Sequence, residues 1–186
     1  MLRLGFIVLF AWLSAANFGA AFPRDALKKG CSLFKYHFLE PHEMKAMRKM
    51  KEHFEDITQQ SDRSCNTRLF HRKWNSVELS VPDRMMLVKA ELDLVTDMLG
   101  LLNDPSFIET HRRPLAFLTQ AQEDLRVCMA TEAPSHQPSK KLRHWLQKLQ
   151  IAKKTETTGC PEASAILHLF QVLDDLQCAA RREPCT

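Results

Sequence analysis

Glycine is scarce in this chain, five in 186 residues, and strand-like alternation is equally rare. A sequence this poor in both has few of the signals that mark hairpins and sheets. No N-glycosylation sequon is present, because Asn66-Thr67-Arg68 and Asn75-Ser76-Val77 both fail at the third position. No C-x-x-C pair occurs, and no two of the eight histidines stand four residues apart, so the usual zinc spacings are missing. The G-x-S-x-G turn of serine hydrolases and the Gly-rich loops that cradle phosphate are absent as well. No enzymatic activity, metal or cofactor is expected. The net charge of +4 is mild and is not the footprint of a nucleic-acid binder.

What is present begins with an export signal. Arg3 precedes an almost unbroken apolar run from Leu4 to Ala16, and small residues follow at Gly19, Ala20 and Ala21. That order is the charged start, apolar centre and small-residue cleavage site of a secretory signal. The run is shorter than the roughly 20 apolar residues of a membrane span, and no later stretch is longer. Cleavage is expected after Ala21, giving a signal peptide at 1–21 and one extracellular domain at 22–186, of a size to bury about 70% of its unfolded surface. Six cysteines follow: Cys31, Cys65, Cys128, Cys160, Cys178 and Cys185. An even set in an exported chain is best used as three bridges, although spacing alone leaves 15 pairings open.

Between the cysteines the pattern is helical. A helix is predicted from Pro41 to about Gln60, with Met47, Met50, Phe54 and Ile57 on one face and Lys45, Arg48, Lys49 and Glu52 opposite. A long irregular connection, Ser61 to Ser80, carries Cys65, Leu69, Phe70 and Trp74. Ser80-Val81-Pro82-Asp83 then resembles a capping box, opening a helix to about Leu102 that is apolar around most of its circumference, with Lys89, Asp93, Thr96, Asp97 and Gly100 gathered into a polar stripe. Such a helix is expected at the centre of the fold. Asp104-Pro105 opens a short segment, and Pro114 is predicted to restart a helix bearing Leu118, Ala121, Leu125 and Cys128. Ser139 to about Lys153 is amphipathic, with Leu142, Trp145, Leu146 and Leu149 inward. Pro161 starts a last helix to about Ala180, its core stripe being Ile166, Leu169, Phe170, Leu173 and Leu176, with His168 on the outer, solvated face. The fold class is therefore all-α, five to six helices. The long first crossover permits an up-up-down-down bundle.

Two charged stretches invite functional readings. His71-Arg72-Lys73 resembles a piece of a nuclease site, and is better read as loop decoration. Lys140, Lys141, Arg143, His144, Lys148, Lys153 and Lys154 fall in a stretch without a carboxylate, from Ala133 to Thr155. Its bland reading is a solvated face. A sulfated glycan could use it through Lys140, Lys141, Arg143 and Lys148, and an anionic membrane could as well, as in a cationic host-defence protein acting directly on membranes.

The chain resembles the interferon lambda family, the type III interferons among the class II helical cytokines. The resemblance rests on Gly30-Cys31 and on the run from Leu87 to Leu92. It rests also on Leu142-Arg143-His144-Trp145-Leu146-Gln147-Lys148-Leu149-Gln150, on Ala152-Lys153-Lys154, and above all on Gly159-Cys160-Pro161-Glu162-Ala163-Ser164 leading into Leu169-Phe170. It covers essentially the whole mature chain. It implies the pairs Cys31–Cys128, Cys65–Cys160 and Cys178–Cys185. It further implies a monomeric secreted antiviral cytokine that bridges the specific interferon lambda receptor chain and the shared interleukin-10 receptor beta subunit, driving JAK-STAT signalling.

For the specific chain, the resemblance points to His42, Met44, Met47, Arg48 and Lys51 on the first helix, to the crossover, and to Leu167, Phe170, Gln171 and Asp174 on the last. Where relatives carry an aromatic two positions before the second cysteine, this chain has Arg63. Leu167 also stands out on its own, because it lies about 100° from Ile166 and off the core stripe. No residues are assigned to the shared subunit.

Overall fold

The computed structural model describes residues 31–59, 70–102, 105–155, 160–181 and 185, and these form a helical domain with no strand among them. The six helices are α1 Pro41–Gln59, α2 Val81–Leu101, α3 Pro105–Glu132, α4 Lys140–Thr155, α5 Cys160–Leu167 and α6 Leu169–Arg181. Short 3-10 turns lie at Leu33–Tyr36 and Ser76–Glu78. The predicted export signal at 1–21 and the first part of the crossover, with Leu69, Arg63 and the Cys65–Cys160 bridge, lie outside the described residues. None of the described helices is long and apolar enough to cross a membrane.

Each helix is built from its pattern. Pro41 opens α1 at a position where a missing N–H costs nothing, and Met47 and Met50 are wholly buried while Lys45, Arg48, Lys49 and Glu52 face water. At the start of α2, Ser80 Oγ accepts the Asp83 N–H at 3.4 Å. Leu87, Val88, Leu92, Val95 and Leu99 are fully buried, and α2 packs against α3, α4, α5 and α6. It is the central helix, as its apolar circumference predicts. Leu142, Trp145 and Leu149 turn the apolar face of α4 inward, against α2.

Two breaks fall elsewhere than the sequence places them. The predicted restart at Pro114 does not occur, for α3 runs unbroken from Pro105 to Glu132 with Pro114 inside it. A proline within a helix costs about 3 kcal/mol in one lost hydrogen bond and a steric clash. Burial of Phe107, Leu118, Ala121 and Leu125 on both sides of it, with α3 packed on α1 and α2, outweighs that. The predicted single last helix is instead divided at His168 into α5 and α6. His168 is half-buried rather than solvated. Its Nδ1 hydrogen-bonds the Ser164 carbonyl at 2.9 Å, and its ring stacks on Phe70 at 5.2 Å. The partner that holds it comes from the crossover, almost a hundred residues away in the chain.

Two bridges tie the ends down. Cys31–Cys128 joins the N-terminal segment to α3 across 97 residues. Beside it Tyr36 donates to Asp124 at 2.8 Å and Lys35 pairs with the same carboxylate at 2.5 Å. Closing so long a loop stabilises by about 4–5 kcal/mol in the chain-entropy account. Cys178–Cys185 clasps the C-terminus across seven residues. Both are pairs that the family resemblance implies.

Candidate functional site

The described end of the crossover, residues 70–78, runs beside α6. Phe70 is wholly buried and acts as the anchor. Between this stretch and α6 lies an open groove of about 790 Å³, walled by Phe70, Arg72 and Trp74 on one side and Gln171, Asp174 and Asp175 on the other.

An ion cluster underlies the groove. Arg72 donates from Nη1 to Glu91 Oε1 of α2 at 2.5 Å, from Nη2 to Asp175 Oδ2 of α6, and from Nε to the Trp74 carbonyl at 3.2 Å. One guanidinium thus fastens the crossover to two helices. Side-chain exposure is 7% for Arg72, 0% for Glu91 and 4% for Asp175, so all three charges are withdrawn from water. Burial, and then the neighbouring Asp175 carboxylate, hold the Glu91 carboxyl well above its usual range, against the pull of Arg72. That upward shift favours the neutral carboxyl, and so moves the cluster towards charge balance, which a buried site tolerates better than an unbalanced charge. Arg72 also lies over the Trp74 ring at 5.3 Å, and Trp74 meets Trp145 of α4 edge-on at 6.3 Å.

The sequence missed this cluster. It read His71-Arg72-Lys73 as loop decoration with a faint nuclease resemblance. His71 and Lys73 are indeed exposed, but Arg72 is a buried tie whose donors are committed to carboxylates and a carbonyl. The signal that could have found it is Glu91, a lone carboxylate within the apolar circumference of the most buried helix. Among the described residues, no cluster of three metal-ligating side chains occurs.

The candidate residues from the family resemblance sort by exposure. On α1, His42 and Arg48 are exposed, with His42 Nε2 3.0 Å from Glu43. Lys51 is half-buried and paired with Glu55 at 2.9 Å, while Met44 packs partly on the core. Met47 is wholly buried, so its side chain is turned away from any partner. Leu167 is 52% exposed at the end of α5, an element that packs directly on α1. Phe170 is half-buried against the core. Gln171 and Asp174 open into the groove, and burial, followed by the adjacent Asp175, raises the Asp174 carboxyl above its ordinary value. The fold therefore packs α5, the helix that carries Leu167, against α1, and sets Gln171 and Asp174 alongside the end of the crossover.

Comparison with known proteins adds the following. A family model described as interleukin-28A matches residues 28–182. Interferon lambda-3 of Gallus gallus is 62% identical over 180 residues, which is 97% of this chain and 96% of the relative. Interferon lambda-2 of Mus musculus is 32% identical over 160 residues, 84% of this chain and 83% of the relative. Interferon lambda-1 of Homo sapiens is 30% identical over 159 residues, covering 84% and 80%.

Proposed function

The chain belongs to the interferon lambda family, whose members are secreted cytokines and not enzymes, and from that premise we propose that it bridges two receptor chains. On this reading the export signal is removed after Ala21, and the helices form an up-up-down-down bundle. The specific interferon lambda receptor chain docks on the face formed by α1, the crossover and α5–α6. The shared interleukin-10 receptor beta subunit joins from another side, and the assembly starts JAK-STAT signalling towards an antiviral state.

One observation carries this reading: an exposed leucine beside a groove on a fixed frame. Leu167 is 52% exposed on α5, the helix that packs on α1, and Gln171 and Asp174, four and seven residues further along the chain, line the groove. Apolar anchors ringed by polar groups are the usual centre of a protein interface. His42 and Arg48 supply the rim, and Lys51, Met44, Met47 and Phe170 shape it from beneath. Arg63 falls on the same crossover and completes the set. The bridges and the Arg72 cluster keep the face ordered before binding, which lowers the cost of association. For the second chain, Phe34 and Phe38 are 76% and 75% exposed on either side of His37, on the segment that Cys31–Cys128 holds to α3.

Direct action on membranes fits less well, because the apolar face of α4 is already used in the core. The test compares the secreted mature protein on receptor-bearing and receptor-null epithelial cells. STAT phosphorylation confined to receptor-bearing cells is expected. Leu167→Ala should shift the dose response by about tenfold, equivalent to about 1.4 kcal/mol, with an unchanged melting temperature. Equal responses in both cell types, or lysis of bare liposomes at the same dose, contradict the proposal.

A further inference from the structure

Two helices of this protein are rich in Lys and Arg on their outer faces, and they differ in kind. On α1 the cations are interleaved with Glu43, Glu52, Glu55 and Asp56, and Lys51 is paired with Glu55. On α4 there is no carboxylate at all. Its two flanks are nevertheless neutralised from outside. Lys141 pairs with Glu78 of the crossover at 2.6 Å, and Lys153 with Asp97 of α2 at 2.5 Å. Lys140, Arg143, Lys148 and Lys154 are exposed between and beyond these ties, and among the described residues none of the four forms an ion pair. They fall on the face opposite Leu142 and Leu149, with His144 among them. At 1.5 Å per residue, that strip is about 21 Å long.

We propose that the outward face of α4 is a docking strip for a linear sulfated glycan of the extracellular matrix or cell surface. The long one-signed array suits a linear polyanion, whose bound counterions are released when the cations replace them. The glycan, rather than a membrane, is chosen because of where the apolar side of α4 goes. Leu142, Trp145 and Leu149 are buried against the core, and the exposed Ile151 is a single apolar residue among polar ones, so the helix has no free apolar face to sink into a bilayer. A single-stranded nucleic acid is disfavoured because the tryptophan of α4 is buried, which leaves the His144 imidazole as the one exposed ring on this helix for bases to stack on. The strip uses none of the residues assigned to the receptor face, so a protein held by a glycan keeps that face free.

The experiment uses the mature secreted protein and a heparin dodecasaccharide as the probe. Lys140→Gln/Arg143→Gln/Lys148→Gln is compared with Lys45→Gln/Lys49→Gln/Arg112→Gln, which removes the same charge from other exposed positions. The α4 variant should lose about tenfold or more in heparin affinity, the control much less, and wild-type binding should fall steeply with salt. The α4 variant should also signal normally on cells stripped of heparan sulfate, so failure here is distinguishable from failure of the receptor reading. Equal losses in the two variants, reducing the effect to net charge, overturn the proposal. So does no loss in either. Binding to phosphatidylserine vesicles or duplex RNA as tight as to heparin, abolished by the same α4 variant, overturns it in favour of those partners.

Discussion

The charges around Arg72 and those along α4 are made of similar residues and do opposite work. Around Arg72 one cation meets two carboxylates from α2 and α6, all of them buried. Along α4 four cations stand exposed without a carboxylate partner among the described residues. Removing charge from water is costly, so a buried charge persists only where partners surround it. The Arg72 cluster therefore fixes structure, holding the end of the crossover against α2 and against α6, which walls the groove. The α4 cations keep their hydration, contribute little to the fold, and project a field into solvent. Burial decides which set is a fastener and which is available to a partner.

The largest expected effect comes from breaking the fastener. Arg72→Met leaves Glu91 and Asp175 facing each other without a cation, and should cost about 3–5 kcal/mol in urea unfolding. A loss below about 1 kcal/mol would show that the cluster is not a structural tie. Glu91→Gln is the sharper companion, since it mimics the protonated carboxyl. Glu91 is raised in the folded state, so its contribution is present below the unfolded carboxylate value and is lost as pH rises towards the folded one. Glu91→Gln should therefore cost less than Arg72→Met, and should flatten the decline in stability as pH rises above the unfolded carboxylate value.

An intermediate effect is expected at Asp83, where the sign reverses. Burial pushes this carboxyl up, but the Ser139 side chain, His136 at 2.9 Å and the Ser139 N–H at 3.2 Å together carry it below its usual value. Its contribution is present above the unfolded carboxylate value and disappears as pH falls through the lower folded one. Asp83→Asn should cost about 1–3 kcal/mol at pH 7, with the difference from wild type closing in acid. A difference that persists unchanged down to pH 2 would contradict this account.

The smallest effect belongs to the exposed pairs flanking α4. Lys141→Gln should change unfolding free energy by less than about 1 kcal/mol, because Lys141 and Glu78 both remain wet. A larger loss would mean that the Lys141 contact over Trp74, at 5.8 Å, matters more to the crossover than its exposure implies.

Local chemistry explains what was legible beforehand. The starts of α1, α2 and α4 are marked by Pro41, Ser80 and Ser139, and each is where the structure begins those helices. The inward stripes of α1, α3 and α4 follow from spacing alone. Pro114 and His168 misled because what decides them is tertiary: burial along α3 in one case, a crossover aromatic in the other. The Arg72 cluster was hidden for the same reason, since Arg72 stands 19 residues from Glu91 and 103 from Asp175. Helical periodicity marks a residue as facing inward, but not which distant charge it will meet.

The central claim is that receptor recognition and polyanion recognition occupy separate surfaces, one held rigid by buried charge and the other left charged in water. Its most direct test is the affinity of the purified specific receptor ectodomain, at two salt concentrations, for Leu167→Ala and for Lys140→Gln/Arg143→Gln/Lys148→Gln. The account predicts a loss of about tenfold or more for Leu167→Ala and none for the α4 variant at either salt. A receptor affinity that falls with the α4 variant and survives Leu167→Ala would contradict it.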